Sequence, residues 1–235
     1  AVRYLKGDAG VCITASHNPA KYNGYKAYGS DGCQITAEMA NDVSAEIAAT
    51  DIFEGVKHMS FDEGMKKGLI SWIPDKVMDE FLMAVKGQSM IDEPCTGLKV
   101  VYTPLNGTGL IPVTRILDMI GVDEVSIVPE QEHPDGNFTT CPFPNPEIRE
   151  ALQKGLELCE KVHPDLLLAT DPDADRCGIA VKQNGEYRLM TGHEVGVLLL
   201  DFIARRPNER GGMPKNPIAV TTSESRDMAT PVAKH

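Results

Sequence analysis

Three carboxylates stand at alternate positions in Asp171-Pro172-Asp173-Ala174-Asp175-Arg176, directly after the apolar run Leu166-Leu167-Leu168-Ala169-Thr170. Like charges packed this closely repel, and a bound cation relieves the repulsion. A ligand set made only of oxygen suits Mg2+, which keeps open positions for phosphate oxygens. Far upstream, a β-prone run closes on Thr14-Ala15-Ser16-His17-Asn18-Pro19, where a hydroxyl, an imidazole and a turn-forming proline meet. Strand ends of this kind are where α/β folds hold ligands. A third feature, Asn23-Gly24-Tyr25-Lys26, follows within a few residues. Its lysine could shuttle a proton or anchor a phosphate.

Each feature also has a plainer reading. Asn and Pro make Ser-His-Asn-Pro an ordinary turn. Lysines are mostly exposed, so Lys26 alone is a surface lysine. The acidic run alone is a solvated loop. An EF-hand begins with the same alternation, but Arg176 stands where its sharp turn needs Gly and Lys182 where its bidentate Glu belongs, which excludes it. A haloacid-dehalogenase-type phosphatase also places Asp-x-Asp after an apolar strand, with the first Asp as nucleophile, and the residues by themselves leave that open. No Gly-x-Ser-x-Gly surrounds Ser16, so an α/β-hydrolase elbow is out. On an extended segment neighbouring side chains point apart, so His17 is expected to be badly placed as a base for Ser16.

The elements that must carry these residues alternate short β runs with amphipathic helices. Residues 11–14, 98–101, 125–128, 165–170 and 218–221 read as strands, and Asn184-Gly185 joins two more at 177–181 and 187–190 as a hairpin. Ser30-Asp31-Gly32 is read as a second hairpin turn, between 25–28 and 33–35. Thr36 caps a helix to residue 50 with Met39, Val43 and Ile47 on one face, and Asp75 can cap a helix bearing Val77, Phe81, Leu82 and Val85. Val113, Ile116, Leu117 and Ile120 mark another, stopped by Gly121. Asn145-Pro146-Glu147 predicts the start of a helix carrying Ile148, Leu152, Leu156 and Cys159 to the core. Thr191-Gly192-His193-Glu194 is a capping box opening a helix over 195–204. Strand–helix–strand units with helix-length connections imply an α/β fold with a parallel or mixed sheet. A boundary is expected near Pro74, after the polar stretch 61–68, and a new domain at Thr191.

The 235 residues carry 23 basic and 34 acidic side chains, a net charge of −11 that offers no basic face for nucleic acid. No apolar run approaches the length of a membrane span. Cys12, Cys33, Cys95, Cys141, Cys159 and Cys177 are scattered, make no Cys-x-x-Cys and read as free thiols in a reducing compartment. With no secretory signal, the Asn106-Gly107-Thr108 and Asn137-Phe138-Thr139 sequons read as chance matches. Residues 1–10 look like a helix end and a loop, and 223–235 like a helix barely begun, so the chain reads as an excised piece of something longer.

Taken together, the Ser16 loop, Asn23-Gly24-Tyr25-Lys26 and the Asp171 to Arg176 run resemble the α-D-phosphohexomutases, in the phosphoglucomutase/phosphomannomutase branch with its phosphopentomutase-like members. Tyr102-Thr103-Pro104-Leu105-Asn106-Gly107-Thr108-Gly109, Pro134-Asp135-Gly136-Asn137-Phe138 and Pro142-Phe143-Pro144-Asn145-Pro146-Glu147 support that branch. The resemblance implies mixed and parallel sheets sandwiched by helices in repeated domains around a central cleft. Residues 1–74 would be the latter part of a first domain that bears the serine. Residues 75–190 would be a complete second domain with the metal loop, and 191–235 the opening of a third. Sugar- and phosphate-binding loops would lie beyond His235 and a phosphate-contacting arginine before Ala1, so little or no mutase turnover is expected of this piece.

The resemblance also implies roles. Ser16 would carry the phosphoryl group as phosphoserine and share Mg2+ with Asp171, Asp173 and Asp175. Lys26 would transfer the proton, His17 would contact the serine, and Asn18 and Arg176 would bind phosphate. The partner would be a sugar phosphate, with a sugar 1,6-bisphosphate as activator. The enzyme would be cytoplasmic, without nucleic-acid or membrane partners, and its shortened first domain would expose an edge or apolar patch prone to self-association.

Overall fold

The structure, a computed structural model, describes residues 1–209, 212 and 215–220. It divides into two compact units: Ala1–Thr14 with Asn23–Ala84, and Ala15–Tyr22 with the chain from Val85 onward. The Ser16 loop is therefore an excursion of the first unit's chain that packs as part of the second.

The first unit opens with α1 (Val2–Leu5) and a two-stranded antiparallel sheet of β1 (Ala9–Ile13) and β2 (Tyr25–Gly29). Thr14 N–H donates to the Gly24 carbonyl at 3.2 Å and closes the stem from which the Ser16 loop departs. Thr36 caps α2 (Ala37–Ala49) by accepting the Met39 N–H, as its sequence predicts. The apolar face of α2, Met39, Val43 and Ile47, is exposed, as are Val11, Ile13 and Tyr25 on the sheet. Residues 33–35 do not form the expected strand. The Asp31 carboxylate accepts the Cys33 N–H, the chain curls, and only the bridge from Gln34 to Tyr28 survives before Thr36 starts the helix. The stretch read as a polar connection contains the short helix α3 (Phe61–Lys66), whose cap Ser60 accepts the Glu63 N–H. After it, α4 (Asp75–Lys86) buries Val77 and Leu82 but leaves Phe81 exposed.

The second unit is a five-stranded mixed sheet in the order β4-β3-β5-β6-β7. Its strands are β3 (Lys99–Thr103), β4 (Glu124–Ile127), β5 (Leu166–Thr170), β6 (Cys177–Gln183) and β7 (Glu186–Met190). β3 pairs parallel with both β4 and β5, whereas β5, β6 and β7 run antiparallel. The two-residue period of β3 and β5 sorts their side chains to opposite faces. Val101, Leu167 and Ala169 join Leu156 and Cys159 of α6 (Gln153–Val162) in one core. Val100, Tyr102, Leu166 and Leu168 join Val113 and Leu117 of α5 (Leu110–Met119) in the other. The sheet is thus covered by a helix on each face, the architecture its parallel crossovers demand. Asn184 and Gly185, at φ of 52° and 90°, turn β6 into β7. Thr191 and Glu194 form the expected capping box at the head of α7 (Gly192–Glu209).

Two expectations fail here. The helix assigned to Asn145-Pro146-Glu147 begins only at Gln153. The Asn145 carboxamide oxygen takes the Glu147 N–H in a tight turn, and the Pro146 carbonyl packs so closely on β6 that a Cβ on Gly178 would lie 2.0 Å from it. Ile218 to Val220 lie outside any strand, because no partner segment pairs with them among the described residues. Thr221 and residues 223–235 lie outside the described residues. All six cysteines are free. Asn106 of the first sequon is buried, with its amide donating to the Glu130 and His133 carbonyls, so no glycan fits there. Among the described residues no helix is long and apolar enough to cross a membrane.

Candidate metal centre and serine loop

β5 is buried at Leu167, Ala169 and Thr170 and half-buried at Leu166 and Leu168, because its apolar side chains pack into both cores, and its last residue, Thr170, leads straight into Asp171. Asp171 is fully buried. One of its carboxylate oxygens accepts the Arg176 N–H at 2.9 Å, and its carbonyl accepts the Ala174 N–H, so the loop folds back on itself with Ala174 at φ 56°. This tight curl gathers the carboxylates: one oxygen from each of Asp171, Asp173 and Asp175 lies within 4.8 Å of the others. Burial, reinforced by Asp173 alongside, pushes the Asp171 carboxyl up to about 6, against the pull of the Arg176 N–H and the Ser16 hydroxyl.

Ser16 meets this cluster although 155 residues separate it from Asp171. Its hydroxyl donates to Asp171 Oδ2 at 3.0 Å. Ser16 takes φ 54°, an unusual backbone state for a residue with a Cβ, and that state corrects the expectation for His17. The segment is not extended, so the side chains do not diverge, and His17 Nδ1 lies 3.2 Å from Ser16 Oγ. Asn18 folds its side-chain amide onto the Ala15 carbonyl at 3.0 Å, and its own N–H bonds the same oxygen. It is exposed and visibly fastens the turn. Arg176 is also exposed, and it is its main chain rather than its guanidinium that grips Asp171. Lys26 sits on β2 opposite Cys12, in the other unit.

The three carboxylates could hold a metal ion. The donor set fits a hard divalent cation: all ligating atoms are oxygens, the formal charge of the trio exceeds that of the ion, and Asp173 Oδ1 is shielded from solvent with no hydrogen bond on that atom, although the residue is engaged elsewhere. Beside the serine loop an open cleft of about 490 Å3 is lined by His17, Lys21, Tyr22, Phe143, Asn145 and Ile148 among others. Sequence reasoning missed its second wall. Asn145 reads as a helix start, whereas α6 starts later and Asn145 lines the cleft; Ile148 packs on the core as expected and also lines it.

Supporting the metal loop is a layer that the spacing of the carboxylates does not reveal. The Tyr102 hydroxyl lies 2.8 Å from Thr170 Oγ1, both groups buried, and burial pushes that phenol up to about 12, so it remains neutral. The available signal was the run from Tyr102 to Gly109, noted for its resemblance but given no role.

Comparison with known proteins bears on family and fold. The family described as phosphoglucomutase/phosphomannomutase, alpha/beta/alpha domain I, matches residues 1–52, and domain II of the same family matches 79–185. A phosphoglucomutase of Staphylococcus aureus (strain USA300) is 39% identical over 207 residues, which cover 86% of this chain and 36% of that protein. The chain thus spans about a third of the length of the curated relatives it matches. Among solved structures, a candidate phosphomannomutase from Thermus thermophilus superposes with a TM-score of 0.62 at 25% identity, covering 90% of this chain and 43% of that one. A phosphoglucomutase/phosphomannomutase family protein from Burkholderia thailandensis gives a TM-score of 0.61 at 22% identity, with 85% and 38% coverage, a likeness of fold.

Proposed function

Because the chain belongs to the phosphoglucomutase/phosphomannomutase family of α-D-phosphohexomutases, we propose that it carries the phosphoryl-transfer centre of a phosphosugar mutase, with Ser16 as the residue that accepts and returns the phosphoryl group. The substrates are hexose 1-phosphate and hexose 6-phosphate, and the similarity to a phosphoglucomutase favours glucose over mannose. In the forward half-reaction the bond between phosphorus and Ser16 Oγ breaks as a sugar hydroxyl forms a new bond to the same phosphorus. The hydroxyl proton passes to a base, which the motif match assigns to Lys26, and the electron pair of the broken bond leaves on Ser16 Oγ, which takes up a proton as its hydroxyl re-forms. The resulting 1,6-bisphosphate, also the activator, turns over and returns its other phosphoryl group to Ser16.

The chain's own groups prepare that exchange. Asp171 Oδ2 accepts the Ser16 proton and aims the oxygen, and His17 Nδ1 lies within hydrogen-bond reach of the same oxygen. Asn18 keeps the loop curled, and the exposed Arg176 guanidinium is available to phosphate. Mg2+ held by Asp171, Asp173, Asp175 and a phosphoserine oxygen would supply the charge neutralisation that a transferring phosphoryl group needs, and would let an acidic protein receive an anionic sugar. Six free thiols suit a reducing compartment, and the cytoplasm is the proposed location.

The observation that carries this reading is the 3.0 Å hydrogen bond from Ser16 to Asp171 inside a carboxylate trio. It also weighs against Asp171 as a phosphatase nucleophile, since both of its oxygens are engaged and the residue is sealed from solvent. Incubation with glucose 1,6-bisphosphate and Mg2+, followed by peptide mass spectrometry, should place phosphate on Ser16 and none on Ser16→Ala. An acyl phosphate on Asp171 would instead support the phosphatase, and phosphate on neither residue, with metal still bound, a non-catalytic metal- and phosphate-binding module.

A further inference from the structure

We propose that the turn from β3 into α5, centred on Gly107 and Thr108, is the positioning element of the carboxylate loop, a claim that rests on the metal site proposed above. Thr108 spends both of its donors on one acceptor. Its N–H and its hydroxyl reach the Pro172 carbonyl at 2.9 and 3.0 Å. Gly107 lies flush against the same residue, and a Cβ there would fall 2.3 Å from Pro172 Cα and 2.6 Å from its oxygen, backbone atoms that cannot rotate away. On the other side of Asp171, the Tyr102 hydroxyl holds Thr170 Oγ1. The first metal-loop carboxylate is therefore bracketed, with the residue before it and the residue after it both held by one segment.

That segment is itself rigid. Leu105 and Asn106 take left-handed conformations at φ 48° and 57°. Thr103 Oγ1 accepts the Leu105 N–H at 3.0 Å and donates to the buried Gln131 at 2.7 Å. The Asn106 amide is fixed on the Glu130 and His133 carbonyls. A turn anchored this way transmits the position of the sheet to Pro172 and thence to Asp171 and Asp173. Mg2+ demands near-octahedral oxygens within a narrow distance range, so small displacements of the loop weaken it. Thr108 is thus a positioning residue, acting through Pro172 rather than on the ion.

The test titrates the whole chain with Mg2+ and with Mn2+ by calorimetry, and records thermal unfolding in chelator. Thr108→Val keeps the β-branch and the N–H but loses the hydroxyl, and should weaken metal binding about tenfold, the usual effect of a supporting group behind a ligand. Thr108→Ser should restore affinity. Gly107→Ala should weaken it further, and should it fail to fold, the two Thr108 variants decide. Leu156→Ala, a core change on α6 outside both the carboxylate loop and the turn from β3 into α5, is the control: it should lower the melting point while leaving metal affinity unchanged. Unaltered metal binding in Thr108→Val, with the unsubstituted chain binding normally, overturns the clamp alone. An equal loss of affinity in Leu156→Ala also overturns it, because general destabilisation would then explain the effect. No binding by the unsubstituted chain overturns the metal site and the clamp together.

Discussion

Replacing Asp171 by Asn should make the metal-free protein more stable, although it destroys the site. The carboxyl is fully buried and its ionisation is lifted from 3.8 to about 6. Between those values the folded chain holds a proton that the unfolded chain has released, so stability falls as pH rises through this window and stays low above it. A displacement of about two pH units corresponds to about 3 kcal/mol at about 1.4 kcal/mol per unit. Asn retains an oxygen for the Arg176 N–H but cannot accept from Ser16 at the other atom, a loss of about 1 kcal/mol. The net gain is about 2 kcal/mol near pH 8, or roughly 4–8 °C in melting temperature for a unit of this size. Near pH 4 the advantage should vanish, because the folded carboxyl is then protonated and the unfolded one only about half ionised, which leaves a penalty smaller than the lost Ser16 hydrogen bond. Excess Mg2+ should reverse the order: at about a hundredfold its dissociation constant it adds about 2.7 kcal/mol to the parent and little to the variant. Thermal unfolding in chelator across this pH range, then with Mg2+, checks each arm. A variant that melts below the parent near pH 8 without metal would show that the buried charge costs nothing and refute the reasoning.

Other outcomes follow from the same geometry. Mg2+ affinity should be constant well above pH 6 and fall about tenfold per pH unit below it, because Asp171 must release its proton to bind; calorimetry across pH measures the slope. Gly178→Ala places a methyl 2.0 Å from the Pro146 carbonyl, and should cost on the order of 3 kcal/mol or more in denaturant unfolding, because backbone rather than a side chain must move. The exposed face of Met39, Val43 and Ile47 should drive association, read as a mass that rises with concentration in light scattering and falls back in Val43→Glu. A constant monomer mass for the parent would remove that expectation.

The pattern of apolar and capping residues already contained the α/β alternation. Leu166 to Thr170 reads as a buried strand because both of its faces are apolar, and both faces prove to be cores. Thr36, Thr191 and Gly121 act locally, through hydrogen bonds within a turn or a left-handed conformation, so their effects are visible without a fold. The carboxylate trio is legible for the same reason, since its members lie within five residues of one another. What spacing could not show is how distant segments divide the work. Asn145-Pro146-Glu147 carries every mark of a helix start, yet close contact with Gly178 holds it as a turn and opens Asn145 to the cleft. The alternation rule that sent His17 away from Ser16 assumed an extended backbone, and φ 54° at Ser16 replaces it with a shared hydrogen bond. Composition and local pattern determined the elements, their caps and the gathering of three carboxylates in one loop, because those depend on neighbours a few residues apart. The meeting of Ser16 with Asp171, and the grip of Thr108 on Pro172, were decided only by the tertiary structure, because hydrogen bonds between segments 155 and 64 residues apart exist only once packing has brought their loops together.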